Sequence, residues 1–379
     1  MLAVTGIGMV TPLGLDAVTS CAAARAGLRR IEEIDDLYVP GGEGGDPVPL
    51  AGHRVPLVTA GFFGIGRLAR LAAAGLADLR QAVPDLDRVR LGFILVTGSS
   101  AYQAAWLGKA RANPDEDPEE LDAYQARLAA ADRQIDDDLL DTVSRRAGLQ
   151  VAAPVRATVR ATSVGLVAAL VKAREWLDSG ACDRCVVGAV DSLVDPNLLA
   201  RLLDLGLLKT PARPIGMIPG EAAAFLLLER ARAASARGAG IQALIETPLA
   251  AEGPRHPLVA GTIDARPDTF SAALAQTIAA VHGGRFGGTL VANLNGDDHR
   301  AQVWSDALLR LRPTHELGGR PAWLPCLAFG DTGAASGCVS MAMLVRGWAR
   351  RYAPAPEALV CLQDDIGGRG VVPVRAPSN

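Results

Sequence analysis

Lysine, histidine and long apolar runs are scarce in this sequence of 379 residues, and these shortages narrow the possible functions. Only three of its 38 basic residues are lysine, and its net charge of −3 does not suggest the basic face of a nucleic-acid-binding protein. No apolar run reaches the roughly 18 residues of a membrane-spanning helix. The first six residues lack the charged segment of a secretory signal. We therefore expect a cytoplasmic protein that binds neither nucleic acid nor membrane.

Metal and redox sites would need residues that this chain does not supply at the right spacing. The five histidines are scattered, and His299, beside Asp297 and Asp298, is interpreted as part of a polar, solvated turn. Cys182 and Cys185 have the Cys-x-x-Cys spacing, but a zinc site requires a second pair, and none is present. A redox pair would be expected at a helix N-terminus, whereas this pair leads into a strand. We predict no metal and no cofactor.

The residues that are abundant predict an α/β fold. The sequence is 49% hydrophobic, which is ample for a large core. Residues 91–97 form a continuous apolar run, which is typical of a strand buried on both faces, and residues 65–83 carry apolar side chains at helical spacing. Because such strands and helices alternate along the chain, the sequence predicts a layered α/β architecture.

One short segment is a candidate for the centre of a site. Residues 155–170 have the pattern of a buried strand that turns sharply into an apolar helix, with Ser163 where the helix begins. Backbone N–H groups at a helix start favour negative charge, which suits a cysteine thiolate. A serine hydroxyl needs an adjacent base before it can attack. We interpret Ser163 as the helix N-cap, with a ligand contact and an acylated nucleophile as alternatives.

Four motifs, in order along the chain, resemble the β-ketoacyl-ACP synthases, the condensing enzymes of the thiolase fold. They lie at residues 4–14, 179–192, 219–229 and 330–337. The resemblance implies two pseudo-equivalent halves, residues 1–237 and 238–379, stacked in α/β/α/β/α layers. It also implies a dimer, with an insertion at about residues 103–148 that builds the pocket wall and part of the dimer contact.

The catalytic residues of that family are absent from the matching positions. Its nucleophilic cysteine falls on Ser163, and its lysine falls on Cys326. Its two histidines fall on Asn295 and Asp331, and Ile366 stands where the family has a gate phenylalanine. Since every catalytic position differs, the resemblance implies a fold that has lost its reaction.

We expect Ser163, Asn295 and Asp331 to converge on one degenerate pocket. Arg160, in the predicted strand, is interpreted as the buried ion-pair partner of Asp331, and an anion site for a carboxylate or phosphate is the alternative. Cys326 is a further degenerate position. The residues predicted to contact a ligand are Arg160, Thr162, Ser163, Asn293, Asn295, Asp331, Thr332 and Ile366.

A narrower resemblance concerns function. Residues 293–296, 330–337 and 367–372 are similar to thiolase-like proteins without the catalytic triad that are encoded in bacterial type VI secretion clusters. This resemblance predicts a pseudoenzyme that acts by protein binding, as an accessory or adaptor for a secreted effector. One alternative is a chain-length-factor-like subunit of an active synthase, working with an acyl carrier protein. Another is an acyltransferase that uses Ser163 with Asp331 as its base. The expected assembly is a homodimer, or a heterodimer with a related chain.

Overall fold

Strands and helices alternate along the chain, as the sequence predicts. The computed structural model describes residues 1–379 apart from 43–44, 87–88, 152, 283, 314, 318–320 and 378–379. The strands are β1 (Leu2–Val10), β2 (Glu32–Val39), β3 (Val48–Gly52), β4 (Leu91–Gly98), β5 (Arg156–Ala161), β6 (Arg184–Ser192), β7 (Glu221–Arg230), β8 (Ala243–Ile245), β9 (Leu249–Glu252), β10 (Arg285–Phe286), β11 (Thr289–Ala292), β12 (Glu316–Leu317), β13 (Glu357–Gln363) and β14 (Gly368–Arg375). The helices are α1 (Ala17–Arg25), α2 (Pro56–Thr59), α3 (Gly64–Ala82), α4 (Ala101–Arg111), α5 (Pro118–Gln134), α6 (Leu140–Arg146), α7 (Gly165–Asp178), α8 (Pro196–Asp204), α9 (Ala231–Ala236), α10 (Pro257–Ala260), α11 (Phe270–His282), α12 (Asp298–Leu311), α13 (Cys326–Phe329) and α14 (Ser336–Ala349).

The central strands are apolar along their length because both faces of the sheet are covered. Every residue of β6 is buried, as is every residue of β7 except Arg230. Glu221, at the start of β7, is a charged exception, and it accepts a hydrogen bond of 2.6 Å from Nε of Arg67 in α3. A buried carboxylate without such a partner would be strongly destabilising, so this pair fixes α3 against the sheet.

One ten-stranded sheet runs through both halves of the chain. Its order is β11-β13-β14-β8-β1-β7-β6-β4-β5, with β9 paired to β14. Strand β1 joins the halves because it is antiparallel to both β7 and β8. The order β4-β6-β7-β1 in the first half is repeated as β11-β13-β14-β8 in the second, with the same strand directions. The predicted boundary at residues 237 and 238 falls between α9 and β8, and it stays a prediction.

The helices form layers on both sides of these strands, which confirms the predicted α/β/α/β/α arrangement. Helix α3 packs on the outer face of the first half, and α11 and α12 pack on the outer face of the second. Helices α7 and α14 lie between the halves and contact strands of both. Both middle helices therefore begin where the two halves meet. The candidate functional site lies at the same place.

The predicted insertion at residues 103–148 consists mainly of helices. It contains most of α4, then α5 and α6, which are joined by a π-helical turn at Ile135–Leu139. Helix α5 begins at Pro118, where Asp117 accepts a hydrogen bond from the backbone N–H of Glu119, as the helix-breaking proline predicts. None of the described helices has both the length and the apolar character needed to cross a membrane.

Candidate functional site

The strand-turn-helix elbow predicted around Ser163 is present. Strand β5 ends at Ala161, the backbone N–H of Gly165 donates to the carbonyl of Thr162, and α7 begins at Gly165. A Cβ atom on Gly165 would lie 2.5 Å from Cγ1 of Val96, so only glycine fits this close approach of helix and sheet. The N-cap interpretation of Ser163 is wrong, because the cap residue is Val164 and no side chain caps the helix. The turn is held by the tight packing of Gly165 instead.

Ser163 is buried beside a cavity of only about 20 Å³. A volume of that size holds about one water molecule. Tyr102, Asp191 and Gly333 also line this cavity. The Ser163 hydroxyl makes no hydrogen bond to any residue that the structure describes, so nothing holds it in position for attack.

Asp191 is a titratable group in this cavity that the sequence analysis missed. Burial raises its pKa to about 6. One carboxylate oxygen accepts from the backbone N–H of Ser192 at 2.8 Å, and the other accepts from that of Ala334 at 2.9 Å. Asp191 therefore joins the end of β6 to the turn that precedes α14. It lies within the motif at residues 179–192 that resembles the β-ketoacyl-ACP synthases, but its position in a strand does not indicate these contacts.

Of the three residues predicted to converge, Asn295 and Asp331 contact each other, and neither lines the cavity beside Ser163. The side-chain amide of Asn295 donates to Oδ2 of Asp331 at 2.7 Å, and its Oδ1 accepts from the backbone N–H of Asp297 at 3.1 Å. The other oxygen of Asp331 accepts from the backbone N–H of Gly333 at 2.9 Å. Asp331 is 1% exposed. The two positions where the family has histidines are thus bonded to each other.

A buried arginine binds this pair, and the sequence analysis did not foresee it. Nη1 of Arg300 lies 3.0 Å from Oδ2 of Asp331, and its Nε and Nη2 donate to Asp365 at 2.8 and 2.9 Å. The hydroxyl of Tyr102 donates to Asp365 at 2.6 Å. Burial alone would raise the pKa of Asp365, but the charge and hydrogen bonds of Arg300 hold it well below its ordinary value. We call Tyr102, Asn295, Arg300, Asp331 and Asp365 the Arg300 cluster.

The predicted pairing of Arg160 with Asp331 is wrong. Arg160 instead forms an ion pair with Asp132 of α5, beside a separate cavity of about 310 Å³. Side chains alternate between the two faces of a strand. Val159 and Ala161 pack into the central core, so Arg160 must point to the opposite face, towards the insertion. Arg300 takes the place that the sequence analysis had given to Arg160.

The other predicted ligand contacts are bonded within the protein. Thr162 donates to Asp364, and the hydroxyl oxygens of Thr332 and Ser336 lie 3.1 Å apart. Asn293 bridges the backbone of Gln363, donating to its carbonyl at 2.7 Å and accepting from its N–H at 2.9 Å. These polar groups therefore hold together the loops around the candidate site.

Neither Cys326 nor Ile366 is placed to act as a reactive group. Cys326 begins α13 and is buried, and burial raises the pKa of its thiol well above the ordinary value. A neutral thiol is a poor nucleophile and a poor metal ligand. Ile366 packs against the apolar cluster that contains Tyr102.

One group of side chains has the spacing of a metal site but not the protonation that a metal needs. Ligand atoms of His256, Asp297 and Asp298 lie within 4.8 Å of one another. The backbone N–H of Leu258 donates to Nδ1 of His256 at 3.0 Å, so the proton is assigned to Nε2, which faces Asp297 at 3.2 Å. A protonated Nε2 has no lone pair for a metal, and the geometry is that of a histidine–aspartate hydrogen bond. The interpretation of this segment as a solvated turn is wrong for Asp297, which is buried.

Comparison with known protein families finds a match to part of the chain. Residues 92–234 match the family model described as beta-ketoacyl synthase, N-terminal domain. No curated protein sequence matches the chain.

Solved structures resemble the chain over its whole length. An oxazolomycin ketosynthase domain from Streptomyces albus is 16% identical with a TM-score of 0.72, over 100% of this chain and 76% of its own. The ishigamide ketosynthase/chain length factor is 21% identical with a TM-score of 0.64, over 100% and 99%. A type II polyketide acyl-carrier protein in complex with its ketosynthase is 16% identical with a TM-score of 0.62, over 99% and 99%. At these identities the likeness concerns architecture, and the chain has a β-ketoacyl synthase-like thiolase fold.

Proposed function

We propose that this chain is a non-catalytic, ketosynthase-like subunit that acts by binding a related chain of the same fold. The observation that carries the proposal is the Arg300 cluster. It engages Asn295 and Asp331, the two positions where a condensing enzyme would need histidines. Ser163 is left without a bonded base beside a cavity that has room for about one water.

Chemistry at Ser163 would require a base that can reach both the serine and a substrate. Asp331 is poorly placed to act as this base, because its carboxylate oxygens already contact Asn295, Arg300 and Gly333. Asp191 is closer to the serine cavity, but both of its oxygens accept backbone hydrogen bonds. An acyltransferase that uses Ser163 and Asp331 therefore has little support.

The edge of strand β5 is a surface through which the chain could bind a partner. Strand β5 is paired with β4 along one side, and no strand among the described residues pairs with its other side. An unpaired strand edge is a template for a strand from another chain. All six residues of β5 are half-buried, so the edge is accessible without being fully solvated. A second chain of related fold could extend the sheet across this edge.

Two forms of the proposal differ in the identity of the partner. A chain-length-factor-like subunit would pair with an active ketosynthase and an acyl carrier protein, whereas a secretion accessory would pair with an effector or adaptor. The first is favoured, because the similar structures include one titled as a ketosynthase/chain length factor and one titled as a ketosynthase with its acyl-carrier protein. The type VI secretion assignment rests on short motifs alone.

Native mass spectrometry of the chain, co-expressed with its gene neighbours, tests the binding role. We expect a stable complex with a second thiolase-fold chain. Thr158→Lys places a charged side chain on the β5 edge and should dissociate the complex. Thr262→Lys makes the same change at an exposed loop position and should leave the complex intact. A monomeric wild-type chain, or a complex that both variants retain equally, would count against the proposal.

A further inference from the structure

A third cavity lies away from the Arg300 cluster, between the end of α1 and the residues around α13. It encloses about 450 Å³ and is lined by side chains from α1, α13 and α14, together with Trp323 and Tyr352. Small-molecule sites typically have volumes of roughly 300–1,000 Å³. The cavity is therefore large enough for a ligand, and its use does not depend on the function proposed above.

Most of the lining is apolar, and part of it is exposed. Leu28 and Leu327 are 57% and 52% exposed, although both belong to this one cavity. Met343 and the ring of Trp323 contribute further apolar surface. Large apolar side chains that are exposed together mark a surface that binds something.

The charged groups in the lining are all of one sign. Arg25 and Arg29 line the cavity, and no acidic residue does. Within the part of the chain that the structure describes, neither arginine forms an ion pair with a carboxylate. The guanidinium of Arg25 lies 4.2 Å from the centroid of the Tyr352 ring, and that ring stacks on Trp323 with centroids 5.8 Å apart. The positive group at the rim is thus held in place by stacking, with its N–H donors free.

We propose that this cavity binds a single-chain amphiphilic anion of the medium-chain fatty carboxylate class. The alkyl chain would lie on Leu28, Leu327 and Met343, where it would cover apolar surface that is otherwise in water. The carboxylate would receive N–H donors from Arg25 and Arg29 at the rim. A cationic amphiphile would meet the same apolar wall but two like charges. A neutral alcohol would lose the charge-assisted hydrogen bonds.

Calorimetric titration with decanoate, at concentrations where the probe is monomeric, tests this site. We expect saturable binding with one site per chain, and binding of decylammonium that is at least about tenfold weaker, because its charge is repelled. Arg25→Gln combined with Arg29→Gln should weaken decanoate binding by about tenfold or more, while the alkyl contacts remain.

A matched pair of leucine variants separates the cavity from nonspecific adsorption. Leu327→Asp places a carboxylate in the cavity and should abolish decanoate binding. Leu309→Asp makes the same change at a leucine of α12 that is 59% exposed, and it should have no effect. Equal binding of decanoate and decylammonium to the wild-type chain would overturn the proposal. So would the absence of saturable binding, or decanoate binding that Leu327→Asp retains.

Discussion

Replacing Arg300 by methionine should strongly destabilise the protein. The variant keeps most of the side-chain volume but leaves Asp331 and Asp365, which are 1% and 2% exposed, without their cationic partner. Removing one partner from a buried ion pair typically costs about 3–5 kcal/mol. With an unfolding entropy of about 2.1 cal/mol/K per residue, a chain of 379 residues should lose about 4–6 °C of melting temperature. Thermal unfolding at pH 7 measures this loss.

The pH dependence of that loss identifies its cause. In the wild type, Arg300 holds the pKa of Asp365 below its ordinary value, so this contribution to stability is fully present above about pH 4 and is lost at lower pH. Without Arg300, burial should raise the pKa of Asp365, and its protonation would then relieve an unpaired charge. The deficit of the variant should therefore shrink between pH 7 and pH 5.

Two further variants serve as controls for this prediction. Adding Asp331→Asn and Asp365→Asn to Arg300→Met should recover much of the lost stability, because the buried charges are gone. Arg90→Met removes an exposed ion pair with Asp183 and should leave the melting temperature nearly unchanged. An Arg300→Met variant that melts like the wild type at pH 7 would refute the reasoning about the cluster.

Three other substitutions test the elbow and the cavity beside it. Ser163→Ala should melt within about 1 °C of the wild type, because the hydroxyl makes no hydrogen bond to any side chain among the described residues; a large loss would show that Ser163 has a structural partner. Gly165→Ala should cost about 1–3 kcal/mol in denaturant unfolding, because the new Cβ would overlap Val96, and a neutral result would contradict the close packing. The pKa of Asp191 is raised to about 6, so its ionisation opposes folding, and the stability that its neutral form contributes should be lost as pH rises from about 4 through 6. Asp191→Asn has no ionisable group at this position, so its melting temperature relative to the wild type should increase from pH 5 to pH 7. A difference that stays constant with pH would refute the raised pKa of Asp191.

Much of the fold could be predicted because buried strands appear in the sequence as continuous apolar runs. Strand β4 is apolar over nearly its whole length, and the glycine-rich motifs that resemble ketosynthases mark where the chain turns between layers. The joining of both halves into one sheet through β1 was not predictable. The pairing of β1 with β8 depends on contacts between distant parts of the chain, which a local sequence pattern does not contain.

The site could be predicted only in part, and the errors have identifiable physical causes. Of Ser163, Asn295 and Asp331, which are expected to converge, only Asn295 and Asp331 contact each other. Arg160 was assigned to the wrong face, although Val159 and Ala161 on either side of it are apolar and indicate the opposite orientation.

No role is predicted for Arg300 from the sequence, yet the sequence contains the signal for its burial. Arg300, Trp304, Ala307 and Leu311 recur at the spacing of one helical face, and that face of α12 is buried. A buried arginine predicts buried acidic partners, but sequence spacing could not identify them as Asp331 and Asp365.

Intact-protein mass spectrometry after incubation with an acyl thioester most directly tests the claim that this fold has lost its reaction. We predict no acyl adduct on the wild-type chain with short or medium acyl groups, and none on Ser163→Ala, while an active ketosynthase treated in parallel is acylated. An adduct on the wild type that is absent from Ser163→Ala would contradict the account, because it would show that Ser163 is a working nucleophile.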